Sequence, residues 1–394
     1  MPTWKGNDSL QQRLYTKDVT LVLVASFFYL MSPMLINPVI AGFSTNIGAN
    51  SILAGIIAGT MNLTALVLRP LAGNLTDHVS KYTITFIGGG FILMASLGYA
   101  FTTNVLLVLL LRIINGIGYT LCSVCMATWM AALLPADRIG SGMGIYGLAS
   151  ALGMAVGPAV SVYLYQHYSY RSVFLVAAAF SILLLIVIQF VGNHGIPKPT
   201  PPATTTSAKL VRLVQPKVVP LAVILLLISL PYFATETYIV SYIAHRHFSV
   251  PAGAFFPTYA VILLIMRLVL RDAFDHVPFK KFFWICLGFN LLGIIGLTDL
   301  SNWFMLILGA FGFAAGYGLM FSICQAKALT LVPESDHGLA NSTFYIGVDL
   351  GMSGGPIIAG LITAFLPWAW LYPVMALTLP ITVVVYLANR KLLA

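Results

Sequence analysis

Charge is what this sequence has least of. Only 8 % of its 394 residues are Asp, Glu, Lys or Arg, where a soluble domain carries about 25 %, while 59 % are hydrophobic. So few charges cannot solvate the surface around so much apolar volume, which excludes a water-soluble globular fold. Cysteine is scarce too: Cys122, Cys125, Cys286 and Cys324 all lie inside apolar runs, so no disulfide framework is implied. Cys122 and Cys125 have no accompanying His or second cysteine pair and read as small helix-packing residues. A cleavable secretory signal is missing, because the apolar run that begins near Val19 is long and lacks a small-residue cleavage site. There is no glycine-rich phosphate loop of the Walker type, which argues against a pump driven by ATP within this chain. His78, His245, His247 and His276 fall at loops, and no paired-aspartate or Ser-His pattern sits inside an apolar run. An intramembrane enzyme therefore lacks its raw material, and neither a cofactor nor a metal is called for.

What the sequence does have is apolar runs separated by short polar breaks. A bilayer-crossing helix needs roughly 20 apolar residues. The runs read as twelve spans, at 19–41, 50–72, 83–102, 105–133, 142–165, 172–192, 218–243, 253–272, 282–298, 303–331, 340–366 and 370–388. Lys and Arg outnumber Asp and Glu by 20 to 11, but their placement speaks of topology and not of nucleic acid. With the N-terminus cytoplasmic, fourteen of the basic residues flank spans on that side and two, Arg171 and Arg246, on the other. The positive-inside rule then puts both termini in the cytoplasm. The longest polar stretch, Gly192 to Lys217, is rich in proline and threonine and reads as a flexible cytoplasmic linker. It separates two six-helix bundles, 1–192 and 218–394, with 193–217 between them.

The two halves repeat each other at an offset of 198 residues. Arg69 and Asp77 fall on Arg267 and Asp275, Gly118-Tyr119 on Gly316-Tyr317, and Leu152-Gly153-Met154 with Gly157-Pro158 on Leu350-Gly351-Met352 with Gly355-Pro356. Six spans per half make these parallel repeats about an axis along the membrane normal, with a solute site near the midplane. At this point the chain resembles a known family. Gly73-Asn-Leu-Thr-Asp77-His-Val-Ser-Lys81 is similar to the loop signature between the second and third helices of the major facilitator superfamily. His78 and Ser80 replace its usual basic residue and glycine. Arg112-Ile-Ile-Asn-Gly116 resembles the fourth-helix signature, and Gly147, Gly153, Gly157 and Pro158 the fifth-helix signature of its proton-driven exporters. The second loop signature is degenerate, with Arg271 where Gly73 stands in the first half. The resemblance covers residues 19 to 390 and implies an all-α membrane fold of two pseudo-symmetric six-helix bundles.

Each motif has a physical reading. Asp77 is expected at the start of the third span, where the helix dipole favours a carboxylate by about 0.3–1 kcal/mol. By resemblance Asp77, Lys81, Asp137 and Arg138, with Arg69, Gly73, Arg267 and Asp275, form a cytoplasmic gate of weak charge pairs. Gly73 is expected to let helices approach closely. Gly153, Gly157 and Pro158, and their counterparts Gly355 and Pro356, should bend their helices or pack them tightly.

Charges within spans are the strongest candidates for chemistry, because each costs about 2.5–3.5 kcal/mol even on insertion scales. Glu236, in Pro-Tyr-Phe-Ala-Thr-Glu-Thr-Tyr, is the first candidate for binding a proton. Asp349 is either a second carrier or a partner of Lys327. Arg112 is always charged and attracts an anion or a carboxylate. Asn37, Asn62, Asn115, Tyr119, Tyr232, Tyr238, Gln325 and Tyr345 are candidate polar lining. The leading expectation is a monomeric proton-coupled exporter of small amphipathic molecules in the cell membrane, its partners being solute, protons and the bilayer. A proton symporter importing a sugar, carboxylate or other nutrient is the alternative, and a channel a third.

Overall fold

A computed structural model describes residues 16–134, 139–196, 214–269, 278–332 and 337–393. Within them every regular element is helical. Twelve membrane-scale segments follow in chain order: α1 (Lys17–Asn46), α2 (Ser51–His78), α3 (Lys81–Phe101), α4 (Val105–Leu133), α5 (Ile139–His167), α6 (Tyr170–Val187), α7 (Val219–Arg246), α8 (Phe255–Val269), α9 (Phe279–Thr298), α10, α11 (His337–Phe365) and α12. α10 runs through Trp303–Phe313, a π-helical turn at Ala314–Gly318 and Leu319–Thr330. α12 consists of Leu371–Met375 and Thr378–Ala388. Ten segments are long and apolar enough to cross a bilayer, and Ala252–Met266 is a shorter apolar helix. α5 adds 29 residues, about 44 Å at 1.5 Å each, against a hydrocarbon core of about 30 Å. The protein is a multi-pass membrane protein.

Its outer surface confirms the solvent it was built for. Val67, Leu71, Val269 and Phe365 are each more than 60 % exposed, an arrangement that water would penalise and lipid does not. Inside, hydroxyl groups are kept paired by the helices themselves. Ser26 donates to the Val22 carbonyl at 2.6 Å, Ser44 to Ile40 at 2.7 Å and Thr235 to Pro231 at 2.7 Å, the i−4 bond that satisfies a side chain where no water is present. In the last case Thr235 engages the carbonyl that heads the turn after Pro231.

The chain divides into two compact units, residues 1–36 with 67–201 and residues 37–66 with 202–394. In the first, Ser32, Ser96 and Ser181 link α1, α3 and α6 through contacts of 3.3 and 3.0 Å. The segment after α6 is tied back: both Asp18 carboxylate oxygens accept backbone N–H groups, from Gly192 at 3.0 Å and Asn193 at 2.9 Å. Cys122 and Cys125 pack across α3, with Cys125 donating to the Lys81 carbonyl at 3.1 Å and Thr85 donating to Cys125 at 3.3 Å.

The internal repeat carries through to helix packing. A Cβ added to Gly118 on α4 would lie 3.0 Å from the nitrogen of Ile92 on α3; one added to Gly316 on α10 would lie 2.7 Å from the nitrogen of Asn290 on α9. Both residues of the second pair sit 198 positions beyond the first. Asn104 caps α4 by accepting from Leu107 N–H, and Asn302, again 198 further on, caps α10 by accepting from Met305 N–H, both at 3.1 Å. On α5, Gly153 and Gly157 seat Leu30 and Met34 of α1; on α11, Gly351 and Gly355 seat Ser229 and Phe233 of α7, one residue out of step. Small residues at these crossings let backbones approach, which supplies the dispersion contacts that hold helices together in lipid. Of the two roles expected for these glycines, tight packing is the one observed. α5 and α11 run continuously through Pro158 and Pro356.

Two expectations about the α2–α3 connection need correction. Asp77 lies in the last turn of α2, not at the start of α3: the helix extends to His78, and Ser80 caps α3 by accepting from Thr83 N–H at 3.2 Å. The dipole at that helix end repels a carboxylate, so its helix dipole does not favour Asp77 there. A Cβ on Gly73 would meet nothing within 4 Å among the described residues, so close approach is not what this glycine provides here.

The packing register makes a prediction. Gly118→Leu and Gly316→Leu should each lower stability by about 1–3 kcal/mol through overpacking. Gly90→Ala and Gly288→Ala, whose added Cβ meets nothing within 4 Å, should leave it unchanged or slightly raised, as read by thermal unfolding in detergent.

Candidate functional site

The site forms in the second unit, where the C-terminal part of α1 and the N-terminal part of α2 pack with α7 and α11. Helix approach is set by glycine. A Cβ on Gly55 would lie 2.7 Å from the Pro356 carbonyl oxygen, one on Gly59 2.6 Å from that of Ser353, and one on Gly360 2.5 Å from that of Ser51. Gly55 and Gly59 thus form a small-xxx-small stripe facing small residues of α11. The Gly55–Gly59 spacing is visible in the sequence, but the helix it faces is not.

Glu236 sits at the middle of α7 and is 5 % exposed. Asn37 of α1 donates from Nδ2 to Glu236 Oε1 at 3.3 Å. The pair borders a cavity of about 10 Å³ also lined by Ala58, Asn62, Phe233, Thr237, Met352 and Pro356, about the room one water molecule needs. Asn62 is buried, and its Oδ1 has no hydrogen-bond partner among the described residues. The chemistry on offer is a carboxylate, two carboxamides and a hydroxyl enclosed by apolar side chains, which suits holding or passing a proton.

An aromatic wall stands beside it. The ring of Tyr232, one turn before Glu236 on α7, lies 4.8 Å from both Tyr259 and Tyr317. Tyr317 occupies the π-helical turn of α10, a local widening of the helix of the kind that recurs at functional sites. Its counterpart Tyr119 sits on a plain α-helix, 6.5 Å from Tyr29. The π turn is thus a point at which the halves diverge.

Other predicted residues fall elsewhere. Asp349 is buried on α11, and its carbonyl accepts from Ser353 Oγ at 2.7 Å. Gln325 donates to the Tyr345 hydroxyl at 3.5 Å, joining α10 to α11. Tyr238 donates to the Ser51 carbonyl at 3.5 Å, nearer the α1–α2 turn. In the first unit, α4 buries Arg112 together with Asn115 and Tyr119. Arg69 and Lys81 are half-buried. The side chains of Asp77 and Arg267 lie outside the described structure, as do residues Asp137, Arg138 and Asp275. Of the residues gathered around the cavity, Asn37, Asn62 and Glu236 were sequence candidates, the threonines flanking Glu236 were expected to face a polar cavity, and Pro356 was expected to bend its helix. Ala58, Phe233 and Met352 carry no such signal, being ordinary residues for a membrane helix.

Twelve apolar helices in a duplicated arrangement, with a buried acid in a small polar cavity, define a membrane transporter. The Major Facilitator Superfamily profile matches residues 22–301 and 273–392, and the chain belongs to that family. The uncharacterized MFS-type transporter YhhS of Escherichia coli is 22 % identical over 90 % of this chain and 87 % of its own length. An uncharacterized MFS-type transporter of Methanocaldococcus jannaschii is 28 % identical, but the match covers only 43 % of this chain and 44 % of that protein. Among solved structures, the nucleoside transporter NupG superposes with a TM-score of 0.77 at 13 % identity, covering 95 % of this chain and all of the other. The peptide transporter POT gives 0.76 at 14 % identity, covering 96 % of this chain and 95 % of the other. At such identities the likeness establishes the fold alone.

The Asn37–Glu236 bond is testable by a double-mutant cycle. Asn37→Leu should destabilise the protein by about 1.5–3 kcal/mol when Glu236 is present, the range for hydrogen bonds to charged groups. It should cost clearly less in a Glu236→Leu background. Thermal unfolding of the four proteins gives the coupling energy.

Proposed function

We propose that the chain is a proton-coupled antiporter that exports small amphipathic molecules, working as a monomer in the cell membrane with both termini cytoplasmic. Alternating access comes from rocking of residues 1–192 against residues 218–394. The observation that carries this reading is Glu236: a buried acid, bonded by Asn37, in a water-sized cavity between apolar walls. A charge held in such surroundings is costly, and taking up a proton on a carboxylate oxygen removes it. An acid that opens to one side and then the other therefore loads a proton from one compartment and releases it to the other. The tyrosines around Tyr232 and the apolar lining suit a solute with an aromatic or aliphatic body. Asp349, buried on the facing helix, serves as a second acid of the same path, and the α2–α3 connection with Lys81 belongs to the cytoplasmic gate.

Arg112 favours a second reading. It is buried on α4 with Asn115, whose amide nitrogen and oxygen both lack a hydrogen-bond partner among the described residues. The Arg112 charge and the donating Asn115 amide nitrogen suit an anionic nutrient taken up together with protons.

Proteoliposomes with an imposed pH gradient separate the two. For the antiporter, solute moves against the proton flow, and Glu236→Gln abolishes gradient-driven transport, by about a hundredfold or more, while solute–solute counterflow persists. Asp349→Asn should weaken the gradient-driven component alone. Entry of solute and protons together replaces export by symport, and unchanged coupling in both variants removes these acids from the mechanism.

A further inference from the structure

A second, larger cavity opens on the same four helices, towards the α1–α2 turn. Its volume is about 410 Å³, and Thr45, Asn50, Tyr238, His245, Thr363 and Trp368 supply most of its chemistry. The residues step outward along each helix from the inner site: Asn37 to Thr45 on α1, Glu236 to Ser241 and His245 on α7, Pro356 to Thr363 on α11. Between the two cavities lie the Gly55–Gly360 contact and the bond from Tyr238 to Ser51.

Three of the lining hydroxyls point their hydrogens at backbone carbonyls. Thr45 donates to the Gly42 carbonyl at 2.9 Å, Thr363 to Ala359 at 2.9 Å and Tyr238 to Ser51 at 3.5 Å. Each hydroxyl has thus committed its hydrogen and offers lone pairs. The Asn50 carboxamide oxygen accepts from Leu53 N–H at 2.8 Å, which leaves its NH₂ to donate. His245 Nδ1 lies 2.8 Å from the Ser241 carbonyl oxygen. A carbonyl only accepts, so Nδ1 carries a hydrogen and Nε2 is the atom available to a ligand. The imidazole stacks face to face on the Trp368 indole at 4.3 Å and 16°, which fixes the orientation of the indole at the cavity. Among the described residues, no Asp, Glu, Lys or Arg borders the cavity.

We propose that this outer cavity is a second solute site, which takes neutral ring compounds carrying several hydroxyl donors around an apolar face, such as a glycoside. The apolar face rests on the Trp368 indole, held in place by the stacked His245 ring, and the ligand's hydroxyls donate to Thr45, Thr363 and Tyr238 and accept from Asn50. An uncharged lining disfavours ions, since nothing there balances a desolvated charge, and the volume lies within the usual range for ligand cavities. Binding here requires no proton exchange at Glu236, so the site stands apart from the coupling reading.

Equilibrium dialysis of the purified full-length protein in nanodiscs tests this, with sucrose and 4-nitrophenyl β-glucoside as probes and tetraphenylphosphonium as the charged apolar comparison. At least one glycoside should bind. Trp368→Ala should weaken that binding by about tenfold, and Thr363→Val by about three- to tenfold, with thermal unfolding of both variants unchanged. Tetraphenylphosphonium binding, if any, should not respond to Thr363→Val. Absence of glycoside binding up to about 10 mM, or binding indifferent to both substitutions, overturns the proposal. So does a loss in Glu236→Gln as large as that in Trp368→Ala, which would place the ligand at the inner site.

Discussion

The constraint on which the rest of this structure depends is that no polar group can be left without a partner in hydrocarbon. It makes every regular element of the described chain a helix, because only there are backbone N–H and C=O groups satisfied within the segment. It also sends serine and threonine hydroxyls back to their own i−4 carbonyls, as at Ser26, Ser44 and Thr235. Once the backbone is satisfied internally, helix association rests on close contact, and close contact rests on glycine. Gly118 on Ile92, Gly316 on Asn290 and Gly55 on Pro356 are cases of the same economy.

Against that background the exceptions are informative. Glu236 with Asn37, and Arg112 with Asn115, are polar groups buried in helices where charge is costly. The π-helical turn at Ala314–Gly318 is an exception of another kind: it breaks the duplicated pattern at the position that brings Tyr317 against Tyr232. The two halves share a framework of caps and crossings, and the second unit adds a chemistry that the first does not copy.

The inner and outer cavities express one design at two depths. Both border α1, α2, α7 and α11, the outer one reaching Asn50 before α2 and Trp368 beyond α11. The inner one holds an acid and has room for about a water molecule; the outer one holds hydroxyls, an amide and an aromatic platform, with room for a solute. The glycine contact between α2 and α11 lies between them.

How much of this was legible in the sequence follows from where each kind of information resides. The twelve spans, the offset of 198 residues and the family resemblance were local or periodic, and they emerge as α1 to α12 with matched caps at Asn104 and Asn302. Glu236 stood out because a charge in an apolar run is conspicuous by itself. The end of α2 did not, because one further helical turn separates a carboxylate at a helix start from one at a helix end, and the sequence around Asp77 fits both. The partnership of Asn37 with Glu236 spans 199 residues, and no local pattern encodes it. The same is true of the outer cavity: its threonines, tyrosine, histidine and tryptophan are unremarkable one at a time. Composition and periodicity determined the solvent, the helices and the duplication, since those depend on residue type and spacing alone. Which side chains share a cavity was decided by the tertiary structure, because that depends on how glycine-lined helices approach across hundreds of residues of chain.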